Sequence, residues 1–215
     1  MTWLADNWRT VIDLAISHLY LAGIPLLVGL LVALPLGWAA TRWPRSYPAL
    51  VTTTGLLYTI PSLALFVIMP IVLGTKILDP VNVVVAMSIY TVALLVRTVA
   101  DGLRAVPDHI EQAATAMGYR GLRRLLGVEL PLAVPVIASG LRVAAVSNVS
   151  IVSVASLLGV SQLGDLLVDG YNRVIWGELV TGILACIALA LLLDLVIVAG
   201  SRALTPWLRA QGGRA

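Results

Sequence analysis

Few residues in this sequence could do chemistry, and they are scattered. The 215 residues include two histidines and one cysteine. Cys186 sits inside an apolar run, so no disulfide framework or multi-cysteine metal site can form, and a buried free thiol is expected. His18 and His109 show no metal-ligand pattern and are expected at interfaces on opposite sides of a membrane. A hydrolase needs a Ser/His, paired-Asp or metal set at one depth, which two histidines on opposite sides do not supply. Gly74-Thr75-Lys76 lacks the earlier glycine of a phosphate-binding loop and is expected to face outside. Arg142 and Asp194 are ionisable residues in apolar stretches, which makes them functional candidates by default. Arg142 is expected to snorkel, and Asp194 to reach the interface from about one turn inside. Ser147, Ser150, Ser153 and Ser156 recur every three residues, with Asn148 beside them. They could line a weakly polar wall that passes a cation without holding it, or pack helices closely. No catalytic, cofactor-binding or metal-binding residue is assigned.

The elements that carry these residues are read from hydropathy. The chain is 60% hydrophobic and 12% charged, against about 25% charged in typical globular proteins. Charge-free runs beyond about 18 apolar residues read as membrane spans. We therefore expect an all-α polytopic membrane protein forming one domain over residues 1–215. Its five spans fall at roughly 19–41, 48–74, 80–96, 132–160 and 179–200. Residues 3–17 are expected as a separate short helix at the membrane surface. The first run lacks a preceding basic flank and exceeds a signal h-region, so it is expected to stay as a span. Pro25, Pro35, Gly37, Pro61 and Pro70 lie within the spans as sites of bending.

The net charge of +3 calls for no nucleic acid, because basic residues flank spans on the cytoplasmic side. With the C-terminus cytoplasmic, that side holds Arg42, Arg45, Arg97, Arg104, Arg120, Arg123, Arg124, Arg202, Arg209 and Arg214. The other side holds only Arg9, Lys76 and Arg173. The N-terminus is thus expected outside, and the polar segment 107–131 in the cytoplasm.

That segment reads as helix, turn, helix. Asp108 is a plausible N-cap with Glu111 three positions on, a capping-box arrangement. Ile110, Ala113, Ala114 and Met117 form an apolar stripe, Gly118 ends the helix, and Leu122, Leu125 and Leu126 form a second stripe. A helix of two turns is not stable alone in water, so it must pack on its own protein or on a partner.

Here the residues resemble a known family. "QAATAMGYRGLRRLLGVELP" is similar to the EAA loop of bacterial ABC-importer permeases, a pattern of Glu-Ala-Ala, three residues, Gly, nine residues, Ile, one residue and Leu-Pro. Gln112, Ala113, Ala114, Gly118, Val128, Leu130 and Pro131 fall on its positions with the spacing intact. Gln112 replaces the glutamate, with Glu111 displaced by one, and Val128 replaces isoleucine. The resemblance implies the type I importer fold, with a cytoplasmic coupling helix that docks on a separate ATP-binding subunit. ATP and Mg belong to that subunit, and this chain would be no enzyme. Asp108, Glu111, Gln112, Ala113, Ala114, Met117, Gly118, Arg120 and Arg123 are its implied coupling residues. The arginines could pair with acids of the partner or with anionic lipid headgroups.

"YTIPSLALFVIMP", from Tyr58 to Pro70, resembles the second-span signature of osmoprotectant permeases. "VELPLAVPVIASGLR" and "SLLGVSQLGDLL" are similar to the same subgroup. This implies import of glycine betaine, carnitine, choline or proline betaine across the bacterial inner membrane. An extracytoplasmic binding protein and a second permease chain are the implied partners. Methionine or another small solute is the competing substrate. A stand-alone carrier would need an internal repeat and coupling acids in its spans, and only Asp194 is such an acid. Tyr58, Pro61, Ser62, Ser147, Asn148 and Ser150 are the candidates for the translocation path. Aromatics are only 6% of residues, so an aromatic cage for a quaternary ammonium is expected on the binding protein. Tyr58, Tyr90 and Trp176 are the aromatics to watch in this chain.

Overall fold

The computed structural model describes residues 2–43 and 45–207; Arg209 and Arg214 of the basic set above lie outside them. Nine α-helices run through the described residues: α1 (Thr2–Arg42), α2 (Ser46–Thr59), α3 (Ser62–Leu73), α4 (Pro80–Arg104), α5 (Asp108–Ala116), α6 (Gly121–Arg124), α7 (Leu130–Val152), α8 (Gly164–Asn172) and α9 (Trp176–Leu204). A π-helical turn, Leu125–Glu129, joins α6 to α7, and a 3-10 turn, Ser153–Leu158, follows α7. Helices α1, α4, α7 (with α6 and the turns flanking it) and α9 are long and apolar enough to cross a membrane, and α2 with α3 supplies a fifth span if counted as one.

α1 packs along α4 through small residues. Ala22, Ala33 and Ala40 are fully buried and Leu26 nearly so. Gly29 and Gly37 fall in the same seam. A β-carbon at Gly29 would collide with the Thr91 side chain, and one at Gly37 would come within 2.6 Å of Val99. Close backbone approach of this kind replaces the hydrophobic drive that helix pairs lack in lipid. α4 begins at Pro80, with the Asp79 carboxylate accepting the Val81 N–H at 3.0 Å. Two buried clusters follow: Leu21, Phe66, Met87, Val152 and Leu163 in one, and Leu26, Val96, Val99, Ile137 and Ala145 in the other.

Three expectations change. Residues 3–17 are not a separate surface helix but the first turns of α1. Trp3, Val11 and Leu14 pack on the first cluster, which holds those turns in line. The chain bends only at Asn7 (φ −119°, ψ 15°), whose amide donates to the Trp3 carbonyl at 2.9 Å. The second span is not one rod. α2 and α3 meet at 98°, because Pro61 forces Ile60 into extended backbone (ψ 131°) and supplies no N–H. Tyr90 of α4 donates its hydroxyl to the Ile60 carbonyl freed there. Pro70, by contrast, stays inside α3. The third span does not close at Arg97, which lies within α4 and pairs with Asp101 at 3.5 Å, one turn on.

Candidate functional site: a short helix on the polar segment and the faces of the spans

The polar segment is held by one arginine. Arg124 Nε meets Glu129 at 2.5 Å and its Nη2 meets Glu111 at 3.3 Å. Its Nη1 donates to Thr115 Oγ1 at 3.3 Å. Glu129 is buried, so the ion pair there is charge-assisted and shielded from water. Arg124 thereby ties α5 to the re-entry into α7. Behind it lies a polar cavity of about 250 Å³, lined by Trp38, Arg42, Arg104, Asp108, Glu111 and Glu129 among others. Arg104 lies over the Tyr47 ring at 3.5 Å, and the Tyr47 hydroxyl donates to Asp101 at 2.7 Å, which braces α2 against α4 at this end.

α5 ends as its sequence requires. Gly118 has φ +88°, and the Tyr119 N–H returns to the Ala114 carbonyl at 3.0 Å, a left-handed helix stop. Asp108 is the first helical residue rather than the cap; Pro107 takes that place, without a side-chain cap hydrogen bond. No capping box forms, because Pro107 has neither a side-chain acceptor nor an N–H to take part, and Glu111 pairs with Arg124 instead. Ala114 faces inward at 1% exposure. Gln112, Ala113 and Met117 face out, as do Leu122 and Leu126, while Leu125 is buried. The second expected stripe is therefore split between core and surface by the π-helical turn. Arg123 stacks at 5.0 Å over Tyr119, and Arg120 is exposed.

The path candidates fall in different surroundings. Tyr58 is exposed and meets Tyr90 edge-on, ring centres 5.7 Å apart. Pro61 and Ser62 form the adjoining elbow. Ser150 is exposed and Ser147 half-buried. Asn148 is buried between helices, donating to the Ala22 carbonyl (3.2 Å) and to Thr91 (3.0 Å). Ser153 and Ser156 bond carbonyls three residues back, at 2.6 and 2.9 Å.

Two linkages were not anticipated. Arg142 pairs with Asp194 of α9 through two contacts, 2.5 and 2.9 Å. His18 is not interfacial but fully buried, with Nδ1 2.7 Å from Gln162 Oε1 and Nε2 3.0 Å from the Val149 carbonyl. Gln162 also donates to the Val152 carbonyl at 3.1 Å, so α1 is clipped to α7 and to the loop ahead of α8. The isolated polar residues in apolar runs were the available signal; their partners lie 52 and 144 residues away. On α8, burial pushes the Asp165 carboxyl above its ordinary range, against the Ser161 hydroxyl that donates to it at 2.6 Å.

A bundle of close-packed apolar helices long enough to cross a membrane, with one short helix on a polar segment between them, defines a multi-pass membrane protein. The chain matches the family described as binding-protein-dependent transport system inner membrane components over residues 15–210, and it belongs to that family. It is therefore a multi-pass inner-membrane component of a transport system that works with a binding protein. It is 29% identical over 206 residues to the glycine betaine/carnitine/choline transport system permease protein OpuCB of Bacillus subtilis, covering 96% of this chain and 94% of that one. It is 31% identical over 207 residues to the osmoprotectant import permease protein OsmW of Salmonella typhimurium, covering 95% and 96%. Its fold is similar to the solved MetNI methionine ABC transporter in inward-facing form, with a TM-score of 0.82 at 19% identity, covering 93% of this chain and 98% of that one.

Proposed function

We propose that this chain is the permease subunit of an ATP-driven importer of osmoprotectants of the glycine betaine, carnitine and choline class. The substrates named for the relatives similar to it over nearly their whole length support that substrate class. The observation that carries the coupling role is the outward face of α5. Ala113 and the 71%-exposed Met117 present small and apolar surface, with the polar Gln112 beside them, while Arg124 fixes the opposite face to the spans. A short helix braced on one side and bare on the other suits a rigid lever received in a groove of an ATPase subunit. Asp108, Glu111, Ala114, Gly118, Arg120 and Arg123 shape or flank that lever. ATP and Mg would be held by the partner, which closes and drives the spans between inward-open and outward-open states. A second permease chain, of this or another sequence, completes the path, and the ten-to-three basic bias supports an external N-terminus and a cytoplasmic C-terminus.

Methionine is the competing substrate, since the fold is shared with a methionine transporter. The test is uptake by proteoliposomes holding the permease, its ATPase and its binding protein. ATP-dependent accumulation of labelled glycine betaine without methionine is expected. Accumulation of methionine alone would overturn the substrate assignment, and uptake without ATP would overturn the importer.

A further inference from the structure

We propose that Arg142 and Asp194 form a station for zwitterionic substrate within the membrane path, Arg142 taking the carboxylate and Asp194 the cationic end. This rests on the osmoprotectant reading above.

Depth is the first observation. Arg142 stands twelve residues into α7, about 18 Å along the helix, and Asp194 ten residues before the end of α9, about 15 Å from it. Both lie inside long apolar helices able to cross a hydrocarbon layer about 30 Å thick. Exposure is the second. The Arg142 side chain is 48% exposed and that of Asp194 20%. Charges at this depth are costly against lipid and face water or protein instead, so this surface of α7 and α9 is not a lipid face. Shape is the third. The pair opens on a shallow, open depression of about 370 Å³ that Ser139, Val143, Val146 and Ser147 complete.

The chemistry matches a molecule with both charges. Asp194 engages two of the five N–H donors of Arg142, which leaves donors for a second carboxylate in the planar geometry that arginine favours. A quaternary ammonium has no N–H to give; it needs a negative charge and apolar contact, and Asp194, Val143 and Val146 offer both. Because the empty pair neutralises itself, the station can release its guest without leaving a bare charge in the membrane. Ser147, half-buried on the same wall, joins this site, whereas Asn148 does not.

The same pair could instead serve only as a clamp between α7 and α9, and removing one partner harms either arrangement by stranding a charge. The double variant Arg142→Gln with Asp194→Asn separates them, assayed in the complete transporter with its ATPase and binding protein. If the pair is a station, glycine betaine uptake stays down roughly tenfold in the double variant as in Arg142→Gln, with the complex still assembled. Recovery of uptake in the double variant would leave only a clamp and overturn the proposal. The ratio of glycine betaine to choline uptake should fall roughly fivefold in Arg142→Gln, because choline has no carboxylate; an equal fall in both overturns it. Should the double variant fail to assemble, Arg142→Lys decides: it keeps the charge but loses the planar fork, and glycine betaine KM should rise roughly fivefold, whereas an unchanged KM overturns the proposal. A wild-type transporter that takes up choline but not glycine betaine also overturns it while the osmoprotectant reading stands. One that takes up neither defeats that reading instead.

Discussion

At the residue scale, the question left by Gln112 has a geometric answer. Glutamate is expected at that position, and Glu111 is the nearby acid, but Glu111 is spent on Arg124 inside the subunit. Gln112 is exposed on α5, and in the proposed docking it is a polar group that meets the partner. Two substitutions test this loop. Arg124→Ala leaves the buried Glu129 unpaired and should cost about 3 kcal/mol, read as a lower unfolding midpoint in detergent; adding Glu129→Gln should recover most of it without restoring transport. Gly118→Val forces a β-branched residue to φ +88°, at a cost of about 1–2 kcal/mol. It should abolish uptake while membrane insertion continues, and normal uptake would count against the lever.

At the element scale, the α1–α4 seam and the elbow carry the fold. Gly29→Leu has no space beside Thr91, so the two helices must separate, at a cost of about 2–3 kcal/mol or more. Gly55→Leu on α2 meets nothing within 4 Å and should be tolerated; the measurement for both is folded yield and thermal midpoint. Small residues at helical spacing were visible in the sequence, but which helix they met was not. The elbow was half-legible. Pro61 marked the bend, whereas the brace that Tyr90 supplies from α4 to the Ile60 carbonyl was not visible in the sequence.

At the scale of the whole molecule, orientation is the exposed prediction. In a Cys186→Ser background, Lys76→Cys should react with a membrane-impermeant thiol reagent in intact cells. Ala116→Cys should react only after permeabilisation; the reverse pattern would invert the topology. The number of spans and the polar loop between them were read from composition and spacing, because both are local properties that lipid imposes on consecutive residues. The short helix α5 and its glycine stop were legible for the same reason. The tertiary structure alone joined Arg142 to Asp194, buried His18 against Gln162, turned Asn148 into the helix core, drew Glu111 inward to Arg124 and made residues 3–17 part of α1. Each depends on which faces of the helices meet, and hydropathy along a chain records that a residue is polar without recording where, scores of positions away, its partner stands.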